Sequence, residues 1–327
     1  MSIKDKRIGF LGLGSMGFPI AYGLYRTGWK MVIPAYRPCS GRGYSPIAPD
    51  AETKQAKFDE MLSNGAKGAS SQQDLIESSD ILILSLPTSK QVEEVVLGDD
   101  GILKHASEGT IIIDLTSADA ESTRKLSSIL ETRGIELLDA PVSGGNVGAS
   151  KQTLSVMIGG KKEVYEQTKE IFDTIGSPEK IFYLGPSGAG NTAKCANNFL
   201  SSCCFAATTE ALMVCAKAGI DPQTAARLIN SSGGSSNATS NKFPNLIFPG
   251  KDMGMSVNLM LKDINLFLEA GKKYRVPTFI GDTTYQLWNL PVAEGHGGED
   301  LKAFIEMYER LCQVQLNGIG ADVKETK

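Results

Sequence analysis

The sequence predicts an α/β chain whose second part is all helical, and three observations predict it. Through the first 185 residues, apolar β-branched runs alternate with polar, helix-forming segments. A glycine-rich turn joins the first of these runs to the first helix pattern. Beyond about residue 187, strand signals fade and long helical patterns take over. Continuous apolar strands separated by helices mean a parallel sheet covered on both faces. A chain of 327 residues is long for one core, so the change of character divides it into domains at 1–185 and 186–327.

The strand runs are RIGFLG (7–12), KMVIPA (30–35), DILILSLP (80–87), GTIIIDLTS (109–117), GIELLDAP (134–141), LSVMIGG (154–160) and KIFYLG (180–185). The segment after residue 36 is rich in Pro and Gly and reads as a surface excursion before a helix at 51–63. Residues 161–176 read as a helix. The later helices are expected at 187–218, 221–230, 255–273, 278–290 and 298–313. Residues 231–244, SSGGSSNATSNKFP, read as a connecting loop, and the tail GADVKETK as frayed.

Composition excludes several classes. A net charge of −4 argues against nucleic acid as a partner, because phosphate binding needs clustered Lys and Arg. No apolar run is expected to reach the roughly 18 residues of a membrane helix. The opening runs straight into a strand, so no signal or transit peptide is expected. The six cysteines form no C-x-x-C pair and read as reduced thiols of a cytoplasmic protein. The two histidines, His105 and His296, lie in loop-like stretches and read as solvent-facing, which makes a metal site improbable and removes the usual proton carrier.

The turn carries Gly12, Leu13, Gly14, Ser15, Met16 and Gly17 as G-x-G-x-x-G after a strand and before a helix, with Pro19 in the helix's first turn. Glycines there permit a tight turn and close approach of a pyrophosphate to the backbone, and the helix N-terminus supplies N–H donors. The expected ligand is therefore a dinucleotide. An acid near the end of the second strand would hold the ribose of NAD, but between Trp29 and Pro49 there is none. Arg37, with Arg42 after it, suits the 2′-phosphate of NADP, and NAD stays as the alternative.

Three further motifs follow in order: DAPVSGG (139–145), GAGNTAKCANN (188–198) and MLKDINL (260–266). Together with the glycine turn, LPTSKQVEEVVLG and GHGGED, they resemble the β-hydroxyacid dehydrogenases over nearly the whole chain. That family includes 3-hydroxyisobutyrate dehydrogenase and tartronate semialdehyde reductase. The resemblance implies a Rossmann-type NAD(P) domain, a helical substrate-binding and oligomerisation domain, and a catalytic site between them. It implies that Lys194 is catalytic and that Asn198 orients the substrate. Ser143, Gly144 and Gly145 match the loop that binds the carboxylate of a small acid. Ser117 matches a position near substrate and nicotinamide. Leu86, Pro87 and Thr88 match the loop passing the cofactor, and Lys262 and Asp263 the pair on the cofactor side. Where many relatives carry an aromatic residue near the substrate, this chain has Met255. The resemblance also implies a homodimer or homotetramer, consistent with the apolar stretch FLSSCCFAATTEALMVCAKAGI.

Lys194 and Asn198 lie four residues apart and share one face of an otherwise apolar helix. Hydride transfer to a carbonyl requires a proton for the developing alkoxide. A lysine supplies it if burial lowers its pKa from about 10.4 toward 7–8. The residue pattern alone equally fits a lysine that buries its stem and snorkels to water. Two other readings share the fold: an imine reductase, in which that lysine is usually replaced, and a non-enzymatic nucleotide-binding scaffold.

Overall fold

The computed structural model describes residues 3–35 and 51–316. Arg37, Arg42, the excursion around them and the tail from 317 lie outside the described residues. The chain forms two compact units, and the division falls inside one helix, between Cys195 and Ala196.

The first unit runs β1 (Arg7–Leu11), α1 (Gly17–Arg26), β2 (Lys30–Pro34), α2 (Ala51–Ser63), β3 (Lys67–Ala69), α3 (Gln72–Glu77) and β4 (Ile81–Leu84). It continues with α4 (Ser89–Leu97), α5 (Ile102–His105), β5 (Ile111–Asp114), α6 (Ala120–Glu131), β6 (Glu136–Asp139) and β7 (Val142–Ser143). Then come α7 (Gly145–Lys151), β8 (Leu154–Gly159), α8 (Lys162–Ile175), β9 (Gly176–Gly185) and the start of α9 (Ala189–Lys217). The sheet order is β3-β2-β1-β4-β5-β6-β8-β7, with β9 on β8.

β3 through β6 are parallel, in register as Ile8↔Ile81 and Ile81↔Ile111. Side chains of a strand alternate between faces, and here both faces are buried. Ile81 and Ile83 of β4 enter the core shared with Phe10 and Phe18, while Leu82 and Leu84 enter the one shared with Leu126 and Leu130. That double burial is why these strands read as unbroken apolar runs.

The sheet is not wholly parallel: β8 runs antiparallel to β6 and β7. Two strands carry no apolar run. β3 is the three residues Lys-Gly-Ala at an edge, largely exposed, and β7 is two residues long. β9 begins at Gly176, ahead of its apolar stretch, because Gly176 pairs with Leu154 through backbone alone.

The second unit holds the rest of α9, then α10 (Pro222–Asn230), a π-helix (Ala238–Ile247), α11 (Val257–Tyr274), α12 (Phe279–Ala293) and α13 (Lys302–Cys312). Its core is aromatic. Trp288 stacks on Phe304 with centroids 4.4 Å apart, and Phe205 meets both.

Two expectations fail here. The stretch 231–244 is not simply a connecting loop, since its second half enters the π-helix. Phe243 and Ile247 are buried in the core, and the Phe248 N–H reaches back five residues to the Phe243 carbonyl at 2.9 Å. The wider turn accommodates Pro244, which has no N–H to give. The expectation that no segment matches a membrane helix also fails: α9 is long and apolar enough by length and composition. Phe205, Leu212 and Met213 of α9 are buried in the second unit's core, and Thr208 and Thr209 donate to their own helix's carbonyls.

Candidate active site

In the first unit, β1 and β4 are neighbours, and the strand order reverses between them. In such sheets, ligands bind outside the carboxyl ends of the strands at that switch point. The turn Gly12–Gly17 leaves β1 and the loop Leu86–Thr88 follows β4, so both stand there. Gly12 has φ +99, and a Cβ on it would lie 2.2 Å from the Ser85 carbonyl oxygen. A Cβ on Gly17 would lie 1.9 Å from the Gly12 oxygen and 3.0 Å from Phe10. These two glycines are required by the protein's own packing. Gly14 differs: a Cβ there would meet nothing within 4 Å, so its missing side chain leaves open space. α1 begins with no acidic residue in its first turn and no side-chain cap, leaving its N-terminal dipole for an anion. The turn therefore fits a dinucleotide pyrophosphate.

The next loops are tied together. The Leu86 N–H donates to Thr116 Oγ1 at 3.1 Å, and the Thr116 N–H to the buried Asp114 at 2.9 Å. Asp119, two residues beyond Ser117, donates its N–H to Ser89 Oγ at 2.7 Å. Pro87, Thr88 and Ser117 thus sit in loops bound to each other at adjacent strand ends. After β6, Ser143 pairs through its backbone with Ser155. Gly144 and Gly145 follow at φ +133 and +61, both exposed, and Gly145 faces open space. Only glycine takes such a pair of conformations readily, and main chain without side chains lets an anion approach closely.

Asp139 ends β6 and is fully buried. Its Oδ1 accepts from the Gly188 N–H at 2.7 Å and its Oδ2 from the Asn191 N–H at 2.9 Å, at the entry of α9. Burial pushes this carboxyl up to about 6, against the pull of those backbone donors. Asn191, also fully buried, accepts from the Ala118 N–H at 3.0 Å and donates to Thr123 Oγ1 at 3.1 Å. Lys194 follows one turn later and is 7 % exposed.

In the second unit, Asn198 is half-buried, and its Nδ2 donates to Asp263 Oδ2 at 2.5 Å. Asp263 is buried on α11, and its Oδ1 lies 3.1 Å from Lys262 Nζ. Asn198, Lys262 and Asp263 thus form one cluster from two helices. Met255 precedes α11 and packs against the aromatic core. Its segment is clamped by Asp300 of the GHGGED motif. That carboxylate accepts from the N–H groups of Met253 and Gly254 at 2.8–3.0 Å, and the Leu301 N–H donates to the Met255 carbonyl at 3.0 Å.

Several of these anchors carry no motif of their own in the sequence. Asp139, Asn191 and Asp300 lie inside quoted motifs, but their part in the site shows only in their partners. Lys54 on α2 is buried too, and its Nζ donates to the Leu13 carbonyl at 2.6 Å, over the Phe18 ring. In sequence it is an ordinary lysine of a polar helix. His296 lies outside any helix with its side chain about a third exposed, as expected of a solvent-facing loop histidine, whereas His105 departs from that expectation. His105 ends a short helix, half-buried, with Nδ1 3.4 Å from Glu77, and His296 meets Glu299 at 2.9 Å. Cys195, Cys203, Cys204, Cys215 and Cys312 are all free thiols.

Residues 7–185 match the family described as the NAD binding domain of 6-phosphogluconate dehydrogenase. Residues 188–308 match the NAD-binding family of NADP-dependent 3-hydroxyisobutyrate dehydrogenase. The chain is 34% identical over 316 residues to 2-(hydroxymethyl)glutarate dehydrogenase of Eubacterium barkeri, covering 96% of this chain and 99% of the relative. It is 32% identical over 310 residues to 2-hydroxy-3-oxopropionate reductase of Escherichia coli, covering 95% and 99%. Among solved structures, 3-hydroxyisobutyrate dehydrogenase of Mycobacterium tuberculosis with L-serine matches at 26% identity and a TM-score of 0.75, covering 94% and 99%.

Proposed function

The chain belongs to the β-hydroxyacid dehydrogenase family, and from that premise we propose how its own residues carry out the reaction. It is an NAD(P)-dependent oxidoreductase that interconverts small hydroxyacids with their semialdehydes or keto acids. On our reading the cofactor is NADP and the proton carrier is Lys194.

A bound nicotinamide dinucleotide supplies the hydride. Gly12 through Gly17 and the start of α1 would hold its pyrophosphate, Leu86 to Thr88 would flank it, and Arg37 would take the 2′-phosphate. Ser143, Gly144 and Gly145 would hold the substrate carboxylate by hydroxyl and backbone N–H. Lys194 would give its proton to the substrate oxygen in reduction and take it back in oxidation. Asn198, one turn on and fixed by Asp263, would orient the substrate, with Lys262 beside it. Met255 would line the substrate pocket. We read the domains as 1–185 for cofactor and 186–327 for substrate and oligomerisation.

The observation that carries this reading is the burial of Lys194 on α9, one turn after the anchored Asn191, because a proton carrier must be held in place and out of bulk water. Lys194 is 7 % exposed, far less than a lysine lying free on the surface. The homo-oligomer is supported by large apolar side chains left exposed in the second unit: Leu200 and Val214 on α9, Leu228, Phe279 and Ile280, the last two 81 % and 69 % exposed. We read the enzyme as cytoplasmic.

The test is a turnover assay with both cofactors over small semialdehydes, with a cyclic imine and a no-substrate control. Reduction of a semialdehyde by NADPH is expected. Lys194→Met, which keeps the stem and removes the amine, should lose about 10²–10⁴-fold in kcat while still binding NADPH. If the variant keeps more than about a tenth of wild-type kcat, the proton role fails. Turnover of the imine alone would favour the imine reductase.

A further inference from the structure

We infer that Asp139 is a positioning residue for Lys194: from the end of β6 it sets the first turn of α9, and through that turn the place of the lysine. The inference rests on the reading of Lys194 as the proton carrier.

The geometry is specific. A helix begins with backbone N–H groups that have no partner inside the helix. At the entry of α9, two of these N–H groups, on Gly188 and Asn191, are taken by the two oxygens of one carboxylate, at 2.7 and 2.9 Å. That carboxylate comes from a strand 49 residues away in sequence rather than from the helix's own cap. One oxygen on each of two donors three residues apart fixes both the height and the tilt of the turn. The Asn191 side chain fixes its roll by bridging Ala118 and Thr123. Lys194 lies three residues further on. Since each helical residue turns about 100°, a slip of the turn by one position would swing the lysine off its face.

The chain gives up side chains to admit this anchor. A Cβ on Gly159 would lie 2.6 Å from Asp139 Oδ1. A Cβ on Gly190 would lie 3.0 Å from Oδ2 and 2.2 Å from the Met157 carbonyl oxygen. Gly188 holds φ +83, with Arg124 packed beside it. A serine or asparagine cap would satisfy one donor without burying a charge. A fully buried carboxylate instead makes two charge-assisted bonds, which are shorter and more directional.

Asp139→Asn keeps the shape and one acceptor but turns the other position into a donor facing an N–H. We expect kcat to fall by about 10- to 10²-fold, as a misplaced catalytic group does, with the Kd for NADPH within about twofold of wild type. A purely structural cap would lower the melting temperature and leave kcat alone. The decisive readout is the double variant: in a Lys194→Met background, Asp139→Asn should cost nothing further, because the group it positions is gone. Full multiplicative loss there, or unchanged kcat in the single variant, overturns the inference. Asn191→Ala leaves the carboxylate in place and loosens only the roll. It should show the same pattern, which keeps the test open if Asp139→Asn folds poorly. A Lys194→Met enzyme with near wild-type turnover would instead sink the proton-carrier reading itself.

Discussion

The turn after β1 and the entry of α9 both meet the end of a parallel strand, and both are rich in glycine, yet Gly14 in the first and Gly190 in the second do opposite things. At Gly14 the missing side chain leaves open space. At Gly159 and Gly190 it leaves room that Asp139 already fills. The first is a surface made of main chain and kept clear for a ligand. The second is a socket made for the protein's own carboxylate, and the side chain that matters, Lys194, projects one turn further along. A glycine cluster therefore marks either a place where something binds or a place where something is anchored. What separates the two is what a Cβ would touch.

Substitutions inside the first turn should break or sharpen that contrast most strongly. Gly17→Ala drives a methyl into the Gly12 carbonyl, so it should destabilise the fold by about 1–3 kcal/mol and weaken NADPH binding with it. Gly14→Ala should leave the melting temperature nearly unchanged and still cost about tenfold or more in NADPH affinity, since the methyl enters only the ligand's space. Thermal melts beside cofactor titrations would decide. Equal losses of stability in both variants would mean that Gly14 is a packing residue like its neighbour.

A smaller effect should come from Arg37→Ala, which tests whether charge rather than main chain selects the cofactor. A charge-assisted contact to phosphate is worth about 1.5–3 kcal/mol, so NADPH affinity should fall about tenfold or more while NADH affinity holds. Equal loss for both, or a wild-type preference for NADH, removes the assignment.

The smallest effect concerns the socket. Asp139 titrates at about 6 in the folded chain and near the ordinary carboxylate value of about 3.9 when unfolded. A group raised in this way contributes stability that is fully present below about pH 3.9 and lost as pH rises through about 6. Asp139→Asn does not titrate, so its unfolding free energy should gain on that of wild type between about pH 4 and pH 7. The charged neighbours that could shift this window are Asp114, in register on β5, and Arg124, beside Gly188 on α6. Urea melts at several pH values would show it, and a flat difference would mean that Asp139 titrates normally.

Sequence alone determined the strands that are buried on both faces, because burial on both faces forces an unbroken apolar run, as in β4 and β5. It determined the turn after β1 as well, since only glycine tolerates the backbone angle at Gly12 and the close contacts at Gly12 and Gly17. It placed the later helices by their period. It did not disclose β3 or the π-helix at Ala238–Ile247: a three-residue edge strand needs no apolar run, and Phe243 and Ile247 lie within reach of Pro244 and a polar lead-in. The quoted motifs brought Lys194, Asn198, Lys262 and Asp263 forward one by one. Only the tertiary structure decided that Asn198 donates to Asp263 across 65 residues and that Asp139 holds the start of α9 across 49. A hydrogen bond between distant segments leaves no period and no spacing in the chain. Its partners are chosen by where the strands and helices end, and that is settled only when the chain folds.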